Sequence, residues 1–207
     1  METKTPARRL YSPLWLLLTA LLITAVTLLG PSERTLGGNL RLVILHGAWV
    51  WTGKVAFAAA ALTGLVGLII SKRVCQDVSL ALGRTGLVFW LAYLPMSLLV
   101  QQLNWGGIFW DEPRWRIPFT LGVVALLLQT ALWVMKSPRF TCAANLLFGA
   151  VLWWQLGGIT NVLHPDSPIA GSESAAIQLN FVILLGLSLV AAAQIAWSFY
   201  SSARKHD

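Results

Sequence analysis

Apolar residues dominate six stretches of the chain, at about 14–30, 50–70, 85–102, 118–135, 140–157 and 176–197, and polar or charged residues collect between them. A helix needs about 20 apolar residues, within a range of roughly 17–25, to cross a bilayer core. Irregular backbone cannot lie in hydrocarbon, because its peptide groups would go unpaired. The pattern therefore predicts an all-α integral membrane protein: six transmembrane helices in one bundle, a single domain over residues 1–207, with a tryptophan-rich connection at 103–117. Pro118 suits the first turn of its helix and Pro138 the short break between spans four and five. Pro95 falls inside span three, where loss of a backbone donor predicts a kink.

Composition agrees with a bilayer as solvent: 57% of the 207 residues are hydrophobic and only 11% are charged. The length leaves no room for a separate soluble domain. A net charge of +7 would point to nucleic acid in a soluble protein. Here the basic residues sit in short clusters between apolar runs, without the clustered basic face that nucleic-acid binding needs. Lys4, Arg8 and Arg9 ahead of the first run resemble the start of a signal peptide. That run exceeds the usual ~7–15 residues and lacks a small-x-small cleavage site, so it is expected to stay as the first span. Cys75 and Cys142 form no CxxC or CxxCH, which argues against covalent haem attachment and a cysteine-built metal site.

Cations bias the orientation. With the N-terminus inside, Lys4, Arg8, Arg9, Lys72, Arg73, Arg84, Lys136, Arg139, Arg204 and Lys205 fall on the inner side. Arg34, Arg41, Lys54, Arg114 and Arg116 fall on the outer side, so both termini are expected in the cytoplasm and the protein in the cell membrane. Seven of the eleven tryptophans, Trp49, Trp51, Trp105, Trp110, Trp115, Trp153 and Trp154, then reach the outer interface. A plain anchoring belt would divide them between both faces. His46, in the approach to span two, and His164, between spans five and six, reach the same face, while His206 lies in the cytoplasmic tail.

Neutral imidazole is a common metal ligand, and two imidazoles on opposite sides of a haem make a six-coordinate iron. Tryptophans can pack on the macrocycle, and cations such as Arg41, Lys54, Arg114 and Arg116 can pair with its propionates. Two same-side histidines, a tryptophan-rich loop and nearby cations are what an externally loaded, non-covalent b-type haem site needs. Taken singly, each has a plainer reading. An outer histidine is commonly an interfacial polar residue, loop tryptophans commonly anchor an interface, and Asp111 and Glu112 beside Arg114 and Arg116 can be a surface ion-pair network.

At these residues the chain resembles the haem-handling proteins of cytochrome c maturation, the CcmC type and its longer relatives, the CcsA and CcmF types. Their external loop reads approximately Trp-Gly-x-x-Trp-x-Trp-Asp followed by a basic residue. Here Trp105-Gly106 opens it, Phe109 stands near the first loop aromatic, Trp110-Asp111 supplies the Trp-Asp step, and Arg114 follows. The family's His-Val-Pro-x-Ala-Trp appears in shorter form as His46-Gly47-Ala48-Trp49. Its Trp-Trp-Asn-Thr-Leu-His appears as Asn161-Val162-Leu163-His164, with Trp153-Trp154 displaced upstream.

The resemblance implies a non-enzymatic protein in cytochrome c biogenesis. Haem would rest against Trp105, Phe109, Trp110 and Trp115, with His46 and His164 as axial ligands and Trp49, Gly106, Asp111 and Arg114 around it. It also implies presentation to an external haem chaperone, with an ABC-type membrane complex as neighbour. Two alternatives stand beside this reading. One is a b-type redox subunit with resident haem, against which no histidine occupies the middle of an apolar run. The other is a cofactor-free subunit whose aromatic loop docks a membrane partner. Metal-dependent hydrolysis is disfavoured, since catalytic zinc usually takes three protein ligands and only two outer histidines exist.

Overall fold

The computed structural model describes residues 13–159, 169 and 171–204. Six helices follow one another: α1 (Pro13–Leu28), α2 (Leu40–Ile70), α3 (Arg73–Trp105), α4 (Pro113–Met135), α5 (Pro138–Gly157) and α6 (Ala175–Ala203). α2 to α6 are long and apolar enough to cross a membrane; α1, with 16 residues, is shorter. The protein is thus an all-helical bundle with at least five membrane-capable helices among its described residues.

Several helices outrun the apolar stretches that predict them. α2 has 31 residues and α3 has 33, or roughly 46 and 50 Å at ~1.5 Å per residue. A hydrocarbon core is only ~30 Å thick. The extension of α2 to Leu40 follows from side chains at helical spacing: Leu40, Ile44, Ala48 and Thr52 are all buried on one face. α4 starts at Pro113 rather than near Pro118, because Glu112 caps it: its carboxylate accepts from the Arg114 amide at 3.4 Å. Pro118 stands inside α4, Pro95 inside α3, and Pro138 takes the first turn of α5.

α2 and α3 form an antiparallel spine. They meet from Gln76 Nε2 donating to the Gly67 carbonyl (3.3 Å) at one end to Asn39 Nδ2 donating to the Leu103 carbonyl (3.3 Å) at the other. α1 and α6 pack on one side around Ile23, Ile44, Phe89 and Leu184. α4 and α5 pack on the other around Phe57, Trp90, Leu121 and Leu152. Within a bilayer, helices gain little from apolar burial against one another, so small residues that admit close backbone approach carry the packing. A Cβ on Gly149 would come within 2.7 Å of Ala61, and one on Gly64 within 2.8 Å of the Cys142 carbonyl.

The spine outruns α5 at one end. Trp153, four residues before α5 ends, meets Trp51 of α2. α2 therefore continues roughly two turns past α5. This tryptophan-rich end also carries the links at 29–39 and 106–112, the end of α5 and the start of α6.

At the far end a chain of donors joins four helices. Gln129 Nε2 donates to Asn145 Oδ1 (2.9 Å), and Asn145 Nδ2 donates to the Ser79 carbonyl (2.9 Å) and hydroxyl oxygen (3.1 Å). Ser79 Oγ in turn donates to the Ala60 carbonyl (2.8 Å).

Candidate functional site at the tryptophan-rich end

His46 lies in the second turn of α2, not in a connection before it. Its imidazole is directed at α3, where it meets Tyr93 edge-on with ring centroids 5.6 Å apart. Trp49, one turn on, crosses Phe89 at 6.0 Å and 86°. Its indole nitrogen is buried without a hydrogen-bond partner among the described residues.

Beneath His46 sits an aromatic stack that reading by motif passes over. Tyr93 contacts Trp90 at 5.0 Å and 88°, and Trp90 contacts Phe57 at 5.9 Å. The Trp90 indole N–H donates to the Pro118 carbonyl at 3.0 Å, tying α3 to α4. Glycines make the slot for this fully buried indole: a Cβ on Gly53 would come within 3.1 Å of it, and one on Gly122 within 3.3 Å. The Tyr93 hydroxyl is buried with no hydrogen-bond partner among the described residues. The available signal was the placement of Trp90 and Tyr93, large amphipathic rings, within an apolar run.

The loop is shorter than the expected 103–117, since only residues 106–112 lie outside helices. Gly106 ends α3 in the left-handed conformation (φ 71°), with its amide donating to the Gln102 carbonyl. Glycine is the residue that adopts this geometry without strain. The Gln101 side chain, buried, accepts from the Phe109 amide at 2.9 Å and holds the loop down. Glu112 is buried as the cap of α4, and Asp111 beside it is exposed.

The loop aromatics form two pairs rather than one floor. Trp105 meets Phe109 at 6.1 Å, and Trp110 meets Trp115 at 6.1 Å. Trp105, Phe109 and Trp110 are 37%, 40% and 60% exposed, whereas Trp115 is 5% exposed and packs with Trp90 and Leu121. The first three can offer a ring face to a ligand; Trp115 supports Trp110 from below.

The cations are divided among separate tasks. Lys54 Nζ stands 4.0 Å from the Trp51 ring and 4.5 Å from the Trp153 ring, a cation–π clamp between α2 and α5. Arg41 Nε donates to the Gly30 carbonyl at 2.8 Å. Arg116 is exposed and Arg114 partly buried beside the loop. His164, with Asn161, Val162 and Leu163, lies outside the described residues.

Among the described residues, no three His, Cys, Asp or Glu side chains gather in one place. No family model matches this chain, and no curated protein matches it.

Proposed function

We propose that this chain is a haem-handling membrane protein. It crosses the bilayer six times with both termini in the cytoplasm, and holds haem at its tryptophan-rich, external end for presentation to a partner in cytochrome c biogenesis. What supports the reading is that an imidazole in the second turn of α2 and a loop exposing Trp105, Phe109 and Trp110 lie toward the same end of the spine. Exposed ring faces suit a flat macrocycle, and Arg114 and Arg116 beside them suit its propionates. His46 would supply one axial nitrogen and His164 the other. His46 rests against Tyr93, twelve residues and about 18 Å along α3 below Trp105, so a porphyrin on its nitrogen would have to reach down from the loop between α2 and α3. An external haem chaperone and an ABC-type complex are the proposed partners, and no acid, base or nucleophile is required.

The test is the haem content of protein purified from haem-replete cells. Wild type carries a Soret band, His46→Ala and His164→Ala each lower it, and the double variant loses it. Unchanged loading in the double variant contradicts the proposal. A second reading, a resident b-type haem passing electrons, draws on the placement of His46 inside a helix. Stoichiometric, non-exchanging haem with a reversible redox titration would favour it.

A further inference from the structure

An apolar crevice of about 460 Å³ lies between α1 and α3, with α2 and α6 closing its ends. α1 leans chiefly on α6 and touches α2 less, and the crevice opens where α1 and α3 stand apart. Ile23 and Phe89 form its buried floor, and Ala20, Leu28 and Val88 are its exposed rim.

Three features define the occupant. First, the lining is almost wholly hydrocarbon: its polar-bearing side chains are Trp49, whose indole nitrogen is buried, and two threonines. The hydroxyls of Thr24 and Thr27, which line it, donate to the Ala20 (3.0 Å) and Ile23 (2.7 Å) carbonyls of their own helix. Second, it runs along α1 from Leu16 to Leu28, about 18 Å at ~1.5 Å per residue. One leaflet is half of a ~30 Å core, or about 15 Å. Third, a cation stands at its mouth. Arg41 lies one turn before Leu45, on the same face of α2, and is tied to Gly30 just beyond the end of α1. Only its Nε is used by that bond; among the described residues its terminal amino groups have no partner.

We propose that this crevice holds one acyl chain of a phospholipid from the leaflet at the tryptophan-rich end, with the lipid phosphate on Arg41. Hydrocarbon fills the slot that α1 leaves against the spine, and the guanidinium fixes the headgroup by charge-assisted hydrogen bonds. The lipid thereby completes the attachment of the shortest helix.

The experiment is native mass spectrometry of delipidated, detergent-purified full-length protein titrated with three probes. These are phosphatidylglycerol, a diacylglycerol with the same chains, and glycerol phosphate. One phosphatidylglycerol should bind, with diacylglycerol about tenfold weaker and glycerol phosphate not binding. Arg41→Gln should bring phosphatidylglycerol down to the diacylglycerol level, and Arg41→Lys should restore most of the difference. Ala20→Phe, on the exposed rim, and Ala92→Phe, on the α3 wall, should each block the slot with the unfolding midpoint in detergent held. Equal binding of phosphatidylglycerol and diacylglycerol, binding of glycerol phosphate alone, or a tightly held lipid in both filled variants would overturn the proposal.

Discussion

The His46 imidazole and the Tyr93 ring meet edge-on across α2 and α3, with centroids 5.6 Å apart. The tyrosine is buried, and its hydroxyl has no hydrogen-bond partner among the described residues. Leaving a buried hydroxyl unsatisfied costs on the order of 1–3 kcal/mol. Tyr93→Phe keeps the ring contact and removes the orphaned oxygen, so it should raise stability by about 1 kcal/mol. Reversible unfolding in mixed micelles measures this; a comparable loss would mean the hydroxyl has a partner in the folded protein.

Trp90 is the packing centre below that pair, slotted between Gly53 and Gly122 and bonded to the Pro118 carbonyl. Trp90→Ala should cost about 3–5 kcal/mol, the range for truncating a large core aromatic. Gly122→Leu should fail from the opposite direction, by overfilling the slot, at about 1–3 kcal/mol or more. Thermal unfolding of both variants checks the pair, and a midpoint unchanged in either contradicts the geometry.

Lys54 between Trp51 and Trp153 predicts a measurable coupling. A cation over an indole is worth about 0.5–2 kcal/mol, depending on how far it is desolvated. A double-mutant cycle of Lys54→Met with Trp153→Leu should give an interaction energy of about 1 kcal/mol. Strict additivity would show that the clamp contributes nothing to the α2–α5 contact.

The Gln129–Asn145–Ser79 chain sets a fourth expectation. Asn145→Ala removes the central link and leaves the Gln129 amide and the Ser79 carbonyl without their partner. Interhelical hydrogen bonds in membranes average about 0.6 kcal/mol each, so the loss of several should cost about 1–2 kcal/mol. Asn145→Asp should cost more, since a carboxylate cannot donate to the Ser79 carbonyl. A neutral result in both would remove the chain from any role in joining the four helices.

The bundle was legible in the sequence because hydropathy records where hydrocarbon must be, and five helices carry that signal fully. Helix ends were less legible, because α2 and α3 continue beyond the stretches that predict them. Leu40 and Ile44 are buried against α6, a contact that periodicity within ten residues hardly announces. The same limit placed His46 in a connection when it stands within α2. In the loop, Trp105 and Trp110 were found by composition. The division of Trp115 from its neighbours was not, since burial of an indole depends on the fold around it. Gly106 and Glu112 have local duties as helix caps. Trp90 and Tyr93 went unread because a ring inside an apolar run looks the same whether it faces lipid or the spine.

The coordination state of bound iron tests the account most directly. Visible and electron paramagnetic resonance spectra of the haem-loaded protein should show a low-spin, six-coordinate iron with two imidazoles. His46→Ala and His164→Ala should each convert the remaining haem to a five-coordinate, high-spin form. A low-spin bis-imidazole spectrum that persists in either single variant would contradict the pairing of His46 with His164 across one porphyrin.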